Sequence, residues 1–168
     1  MQIRRDVLPA LIDADVKLAC IGIGSAEAAK TFAEKTDFPA ALLYSDESEM
    51  VEAHSAMGTR NTQRDASGKA VFEGVESMWS KATNEALKAR GRDDLNAVVG
   101  SLFKPGVYVP LMPTGKGLFD PRVVEKTMVQ GGAFVYDGPD ELFSHFDASS
   151  GAHVDLEELV RVATAERQ

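Results

Sequence analysis

Cysteine is nearly absent from this chain, because Cys20 is the single cysteine among 168 residues. One cysteine excludes an intramolecular disulfide, so nothing in the sequence indicates an oxidising compartment. Long apolar runs are missing as well. No segment approaches the roughly 20 apolar residues of a membrane-spanning helix, and Met1 is not followed by the apolar core of a signal peptide. We therefore expect a soluble, intracellular protein without a transmembrane segment.

Basic residues are scarce relative to acidic ones. The chain has 18 lysines and arginines against 26 acidic residues, which gives a formal net charge of −8. Such a charge disfavours phosphate backbones and anionic membranes, so we expect no nucleic acid partner. A length of 168 residues suits one domain, and residues 1–168 are predicted to form a single unit.

The segment from Met128 to Phe146 carries the clearest structural pattern. Its apolar run 133–136 suits a strand buried on both faces. The residues 137–140 that follow, Asp-Gly-Pro-Asp, supply turn chemistry, because glycine tolerates positive φ and proline fixes φ. The pattern predicts a β-hairpin, which needs an upstream sheet to join and helices to cover it.

Apolar spacing upstream of the hairpin predicts alternating helices and strands. Helices are indicated by capping residues and a period of about 3.6 residues, and strands by short continuous apolar runs. The predicted elements are a helix over 2–14 that Pro9 kinks or restricts, a strand over 17–23, a helix over 26–35 capped by Ser25, a strand over 40–44, and a helix ending near Met57 that Asp46 or Ser48 caps.

Residues 59–127 contain no convincing strand and are interpreted as a helical insertion. Helical spacing occurs over 75–87 and again over 95–102. Residues 104–117 are rich in proline and glycine, which predicts an irregular segment across the surface. After the hairpin, residues 155–165 predict a helix whose apolar face can cover it.

The predicted order of elements is typical of a thioredoxin topology. A strand-helix-strand crossover precedes a β-hairpin and a terminal helix, and only the first strand of that topology is missing. The predicted fold class is therefore α/β: a thioredoxin-like, three-layer α/β/α sandwich with a helical insertion.

Four groups of short strings occur in one order over nearly the whole chain. They are Val16-Lys17-Leu18 with Ile21-Gly22-Ile23-Gly24, Phe38-Pro39 with Leu43-Tyr44-Ser45-Asp46, Gln130-Gly131-Gly132-Ala133-Phe134-Val135-Tyr136, and Ser150-Gly151-Ala152-His153 with Leu156. In these strings the chain resembles the AhpC/TSA-type peroxiredoxin-like 2 proteins. That group contains prostamide/prostaglandin F synthase and chloroplast thioredoxin-like proteins of plants and algae.

The resemblance implies thiol-dependent reduction of peroxides or disulfides, with thioredoxin or glutathione as the reductant. That chemistry depends on a Cys-x-x-Cys-type motif after the first strand, where a helix N-terminus stabilises the thiolate. These residues do not contain the motif, so no catalytic residue is assigned. We expect the motif to lie upstream of Met1, and we expect the chain as written to be inactive.

The missing first strand would leave a gap between the strand over 17–23 and the hairpin. Each buried backbone group without a partner would cost about 1–3 kcal/mol. Three explanations are open: an N-terminus further upstream, closure of the two neighbouring strands on each other, or a strand supplied by a partner. We favour the first, because a central strand is hard to replace.

Cys20 is interpreted as a packing residue, because a thiol inside an apolar strand is inert and has a raised pKa. The resemblance instead indicates Gln130, Gly131, Gly132 and His153 as residues that could face a site. The glycines could let the backbone approach a substrate, or simply make a tight turn. His153 could face the site or orient the last helix, and a capping or packing role is the alternative. The histidine spacing indicates no metal, and no cofactor is predicted.

Two functions from different classes are therefore open. The first is thiol-dependent peroxide or disulfide reduction, the role that the resemblance implies. The second is a non-catalytic thioredoxin-like binding module, an accessory subunit of a larger complex, which in a plant or alga could be a plastid complex. Residues 59–127 are the candidate docking surface, because long ordered excursions tend to carry function. The expected location is the cytoplasm or the plastid stroma.

Overall fold

The computed structural model describes residues 2–72, 81, 85, 100, 101, 104, 105, 125, 126, 128–149 and 152–165. Helices and short strands alternate along the first part of the chain, and a hairpin and a helix follow near its other end. In chain order the elements are a π-helical turn Ile3–Val7, α1 Leu8–Asp13, β1 Cys20–Ile23, α2 Ala26–Thr36, a 3-10 turn Ala40–Leu42, β2 Leu43–Asp46, α3 Glu52–Ala56, β3 Gly100–Ser101, β4 Lys104–Pro105, β5 Gly132–Asp137, β6 Asp140–Phe146 and α4 Leu156–Ala163.

The first helical segment accommodates Pro9 by changing its hydrogen-bond pattern. The N–H of Leu8 bonds to the carbonyl of Ile3, one residue further back than in an α-helix. Pro9, which has no N–H to donate, then lies in the first turn of α1, where that donor is not needed. The predicted helix over 2–14 is confirmed, and the interruption expected at Pro9 is the change from a π turn to an α-helix.

β1, α2 and β2 form the predicted strand-helix-strand crossover. The two strands are parallel, with Ile21 of β1 opposite Tyr44 of β2. α2 begins at the predicted place, because the Ser25 hydroxyl accepts a hydrogen bond from the N–H of Ala28 at 3.2 Å. The capping signal in the sequence therefore sets the start of this helix.

Both strands of the crossover differ from the prediction in length and exposure. β1 begins only at Cys20, and β2 begins only at Leu43. A 3-10 turn precedes β2, and in it the N–H of Leu42 donates to the carbonyl of Pro39 at 3.0 Å. Ile21 is 46% exposed and Tyr44 is 55% exposed. Because Ile21 and Tyr44 lie opposite each other, one face of the β1–β2 pair is open.

β5 and β6 form the predicted antiparallel hairpin. Gly138 in the turn has φ of 58°, the left-handed region that glycine adopts without strain. The register shifts between Val135 and Tyr136. Val135 is 7% exposed and Tyr136 is 45% exposed, so the run 133–136 is not buried on both faces as expected. One face of the hairpin is in the core and the other is open.

The core lies between the hairpin, the first helical segment and α4. The buried residues Val7, Leu11, Val135 and Ala163 form one cluster, exposed by 7% or less. α4 covers the hairpin as predicted, and burying a Val or Leu side chain in this way stabilises the fold by about 1.5–3 kcal/mol. Partly buried apolar residues packed against the cluster are Ile3, Val16, Leu18, Phe143, Leu156, Leu159, Val160 and Val162.

The crossover and the hairpin are separate sheets in the described part of the chain. β1 pairs with β2 and β5 pairs with β6, and no strand of one pair bonds to a strand of the other. Closure of the two neighbouring strands on each other, one of the three explanations for the gap, is therefore wrong for these residues.

Most of the predicted insertion over 59–127 lies outside the described residues. Lys81 and Glu85 are helical and form an ion pair one turn apart, which agrees with the predicted helix over 75–87. β3 and β4 pair in antiparallel fashion within this segment. The expectation of a helix through 95–102 is therefore wrong at Gly100–Ser101, because strand pairing overrides the local apolar spacing. The expectation that residues 59–127 contain no strand is wrong for the same reason.

Candidate functional site

A buried carboxylate lies at the open end of the hairpin. Asp147 directly follows β6, and Gly131 directly precedes β5. Because the strands are antiparallel, these two residues lie side by side, and the N–H of Asp147 donates to the carbonyl of Gly131 at 3.0 Å. We name the group formed by Gly131, His145, Asp147 and His153 the hairpin-end cluster.

Two imidazoles bind the carboxylate of Asp147. Nδ1 of His153 lies 2.7 Å from Oδ2, and Nε2 of His145 lies 3.4 Å from Oδ1. The Asp147 side chain is 7% exposed, whereas the His153 ring is 44% exposed and the His145 ring 33%. The carboxyl group of Asp147 is therefore held inside the protein, while the two rings beside it reach solvent.

The two glycines before β5 pack closely against this group. A Cβ on Gly131 would lie 2.9 Å from Oδ2 of Asp147, and a Cβ on Gly132 would lie 2.7 Å from the carbonyl oxygen of His145. Neither glycine has a positive φ that would demand a tight turn. Close internal packing explains both glycines, and an approach to substrate at this point stays a prediction.

Gln130 is placed differently from the other predicted site residues. It is 8% exposed, and its side-chain amide donates to the carbonyl of Met128 at 2.9 Å. Its backbone N–H donates to the carbonyl of Arg60 at 3.1 Å. Gln130 therefore fastens its own loop, while Gly131 and His153 meet at the carboxylate of Asp147.

Asp147 and His145 were not among the residues predicted to face a site. The register of the hairpin was the signal that could have found them, because it places His145 opposite Ala133 and brings Asp147 beside Gly131. His153 does not cap the last helix. Asp155 does so, by accepting the N–H groups of Glu157 and Glu158 at 2.9 and 3.0 Å.

A second aspartate–histidine pair lies where β2 ends. The carboxylate of Asp46 is 3.0 Å from Nδ1 of His54, whose side chain is 13% exposed. It also accepts the backbone N–H groups of Ala53 at 3.0 Å and of His54 at 3.3 Å. The hydroxyl of Ser48 donates to it at 2.6 Å and accepts the N–H of Glu52 at 2.7 Å. Asp46 and Ser48 thus both accept N–H groups at the start of α3, although the capping residue is Val51 and not one of the two predicted.

These hydrogen bonds control the ionisation of Asp46. Burial raises the pKa of the carboxyl, but the hydrogen bonds from Ser48 and His54 outweigh it and bring the pKa to about 2. The carboxylate is therefore charged at every physiological pH and acts as a fixed acceptor.

The position of Cys20 in β1 disfavours the thiolate form of its side chain. It is partly buried in β1, and burial raises the pKa of its thiol. The helix that follows β1 begins at Ala26, whose N–H donates to the carboxylate of Glu47 at 2.8 Å. The N-terminus of α2 is thus occupied by Ser25 and Glu47 and does not stabilise the Cys20 sulfur.

An open pocket of about 410 Å³ lies beside α3. Its lining residues are mainly polar, and none of them belongs to the hairpin-end cluster. The lining residues are Met50, Glu52, Ser55, Thr62, Gln63 and Arg64.

The described residues contain no group of three or more His, Cys, Asp or Glu side chains placed to hold a metal ion. In the same residues no helix has the length and apolar character needed to cross a membrane.

A parallel crossover, an antiparallel hairpin and a terminal helix packed on it define an α/β protein of thioredoxin-like type. The profile of the family described as AhpC/TSA antioxidant enzyme matches residues 2–149, and the chain belongs to this family. Membership indicates thiol-dependent peroxidase or reductase chemistry. Comparisons with curated proteins and with solved structures give no match.

Proposed function

We propose that this chain is a thioredoxin-fold protein of the peroxiredoxin-like 2 group and that its 168 residues alone do not reduce peroxide or disulfides. The observation that carries this proposal is the state of Cys20, the single thiol of the chain. A thiolate attacks peroxide, and burial raises the pKa of Cys20, which lowers the thiolate fraction at neutral pH.

The family chemistry then requires a thiol from outside these residues. A Cys-x-x-Cys segment outside these 168 residues is the source that we favour, because in a thioredoxin fold its strand would lie between β1 and β5. Those two strands are not paired with each other in the described residues, which supports room for such a strand. Thioredoxin or glutathione would return the oxidised thiol to its reduced state.

Peroxide consumption with thioredoxin and its reductase, and separately with glutathione and its reductase, tests the proposal. We expect no turnover above background for the 168-residue chain or for its C20S variant, and turnover when the same residues are joined to a strand that carries a Cys-x-x-Cys segment. Turnover by the 168-residue chain that disappears in C20S would contradict the proposal.

A non-catalytic binding role is the second candidate. Val71 and Phe72, at the start of the 59–127 insertion, are each 41% exposed, and exposed neighbouring apolar side chains are typical of interaction surfaces. The partner would be a protein of a larger complex, in the cytoplasm or in the plastid stroma.

The V71S/F72S double variant tests this second role. Exposed positions tolerate polar substitution, so the fold should stay intact. We expect the double variant to lose co-purification of a stoichiometric partner that the unchanged chain retains, with T59S as the control for the insertion. Equal recovery of the partner by all three chains would exclude this surface.

A further inference from the structure

We propose that Asp147 and His153 form a proton-accepting pair whose ligand is a thiol, so that the thiol of a redox partner loses its proton at Nε2 of His153. This inference rests on the proposed thiol function and assigns it a proton acceptor within these 168 residues.

The first argument is the direction of the Asp147–His153 hydrogen bond. A carboxylate only accepts, so the atom that donates across the 2.7 Å contact is the Nδ1–H of His153. In a neutral imidazole the other nitrogen then carries a lone pair and no proton. Asp147 therefore fixes the ring in the form that can accept a proton at Nε2, and it is a positioning residue.

The second argument is the difference in exposure along the pair. The carboxylate is 7% exposed and the ring is 44% exposed. A buried anion is well placed to stabilise the imidazolium that forms when the ring accepts a proton, while the exposed ring can be reached by a partner. A packing role alone would not require His153 to bond a buried carboxylate while its ring is exposed to solvent.

The third argument concerns the surroundings of the pair. His145 reaches the other carboxylate oxygen and also lies 3.4 Å from the carbonyl of Ala152. Gly131 meets the same oxygen as His153 and leaves no room for a side chain. Arg60 donates to the carbonyl of Ala148 at 3.1 Å, which places a cation on the segment that follows Asp147. His145 and Gly131 thus lie against the carboxylate itself, and Arg60 fastens the backbone beside it.

The chemical step is a single proton transfer. The S–H bond of the thiol breaks, an N–H bond forms at Nε2 of His153, and the electron pair stays on sulfur. The products are a thiolate and an imidazolium paired with Asp147, so charge and atoms balance without an oxidant or reductant.

Long-range ¹H–¹⁵N spectra of the imidazoles test the positioning by Asp147 without any activity assay. At a pH where the rings are neutral, we expect His153 to carry its proton on Nδ1 and His145 to carry it on Nε2. D147A should shift His153 towards the Nε2–H form. A predominant Nε2–H form of His153 in the unchanged chain would overturn the proposal, whether or not D147A folds.

Glutathione and S-methylglutathione distinguish a thiol ligand from a peptide ligand. We expect millimolar glutathione to move the His153 ring signals, S-methylglutathione to leave them in place, and H153Q to lose the accompanying shifts of the Gly131 and Gly132 amides. Reduced thioredoxin, compared with its cysteine-to-serine form, tests a protein thiol in the same way. Absence of any shift with both thiols, or equal shifts with the methylated control, would overturn the thiol assignment. Neither result depends on peroxide turnover, so this inference and the proposed function can fail separately.

Discussion

Each of the two main sheets ends in an aspartate–histidine pair, and the pairs differ in what else the carboxylate binds. Asp46 binds His54 and also backbone N–H groups at the start of α3, with a histidine side chain that is 13% exposed. Asp147 binds two imidazoles, and the ring of His153 is 44% exposed. Similar residue types therefore hold the start of a helix at one place and leave a partly exposed imidazole ring at the other.

The difference follows from how the chain continues after each strand. After β2 the chain enters a helix within six residues. The first N–H groups of a helix have no partner inside it, and here they donate to Asp46. After β6 the described residues 147–149 and 152–155 belong to no helix or strand, and the side chains of His145 and His153 reach the carboxylate instead. The element that follows the strand decides whether the aspartate binds the start of a helix in addition to an imidazole.

Removal of each carboxylate should give the largest contrast between the pairs. D46A leaves the partly buried N–H groups of Ala53 and His54 without their acceptor and should lower the free energy of unfolding by about 3 kcal/mol. D147A leaves two solvent-accessible imidazoles that water can satisfy, so we expect a loss of about 1 kcal/mol. Urea unfolding followed by circular dichroism measures both, and equal losses would remove the distinction.

Acid should weaken the Asp46 site over a defined range of pH. The pKa of Asp46 is about 2 in the folded chain against 3.8 as its ordinary value, so its stabilising effect is complete above pH 4. That effect, about 2 kcal/mol, is lost as the pH falls from about 4 towards 2.

Urea titrations across this range should therefore show a steeper fall in the free energy of unfolding for the unchanged chain than for D46N. The other carboxyl groups titrate in both chains and cancel in the comparison. Parallel curves would show that the pKa of Asp46 does not change on folding.

A methyl group at Gly131 should give a smaller effect that is specific to the hairpin-end cluster. In G131A the new Cβ would lie 2.9 Å from the Asp147 carboxylate, which must shift, and we expect a loss of about 1 kcal/mol. G22A is the matched control, because no atom lies within 4 Å of its Cβ and its stability should change little. The test fails if the two variants unfold at the same urea concentration.

Local signals made much of the fold predictable from the sequence. Ser25 marks the start of α2 because its hydroxyl lies three residues from the N–H that it accepts. The turn at Gly138-Pro139 marks the hairpin for a similar reason. The extents of β1 and β2 were not predictable, because a strand ends where its pairing partner ends.

The candidate site was predictable only in part. His153 and Gly131 were identified through the family resemblance, whereas Asp147, which joins them, was not. The contact between Gly131 and Asp147 crosses the hairpin, so it depends on the register of strands that are paired only in three dimensions. The pairing of His54 with Asp46 likewise depends on where α3 begins.

The central claim is that the chemistry of this family member does not run through Cys20, and the alkylation rate of that thiol tests it most directly. Iodoacetamide should modify Cys20 in the folded chain at neutral pH about tenfold more slowly than in the urea-unfolded chain, because burial raises the pKa of the thiol and limits access. Faster alkylation in the folded chain than in the unfolded one would show an activated thiolate and contradict the account.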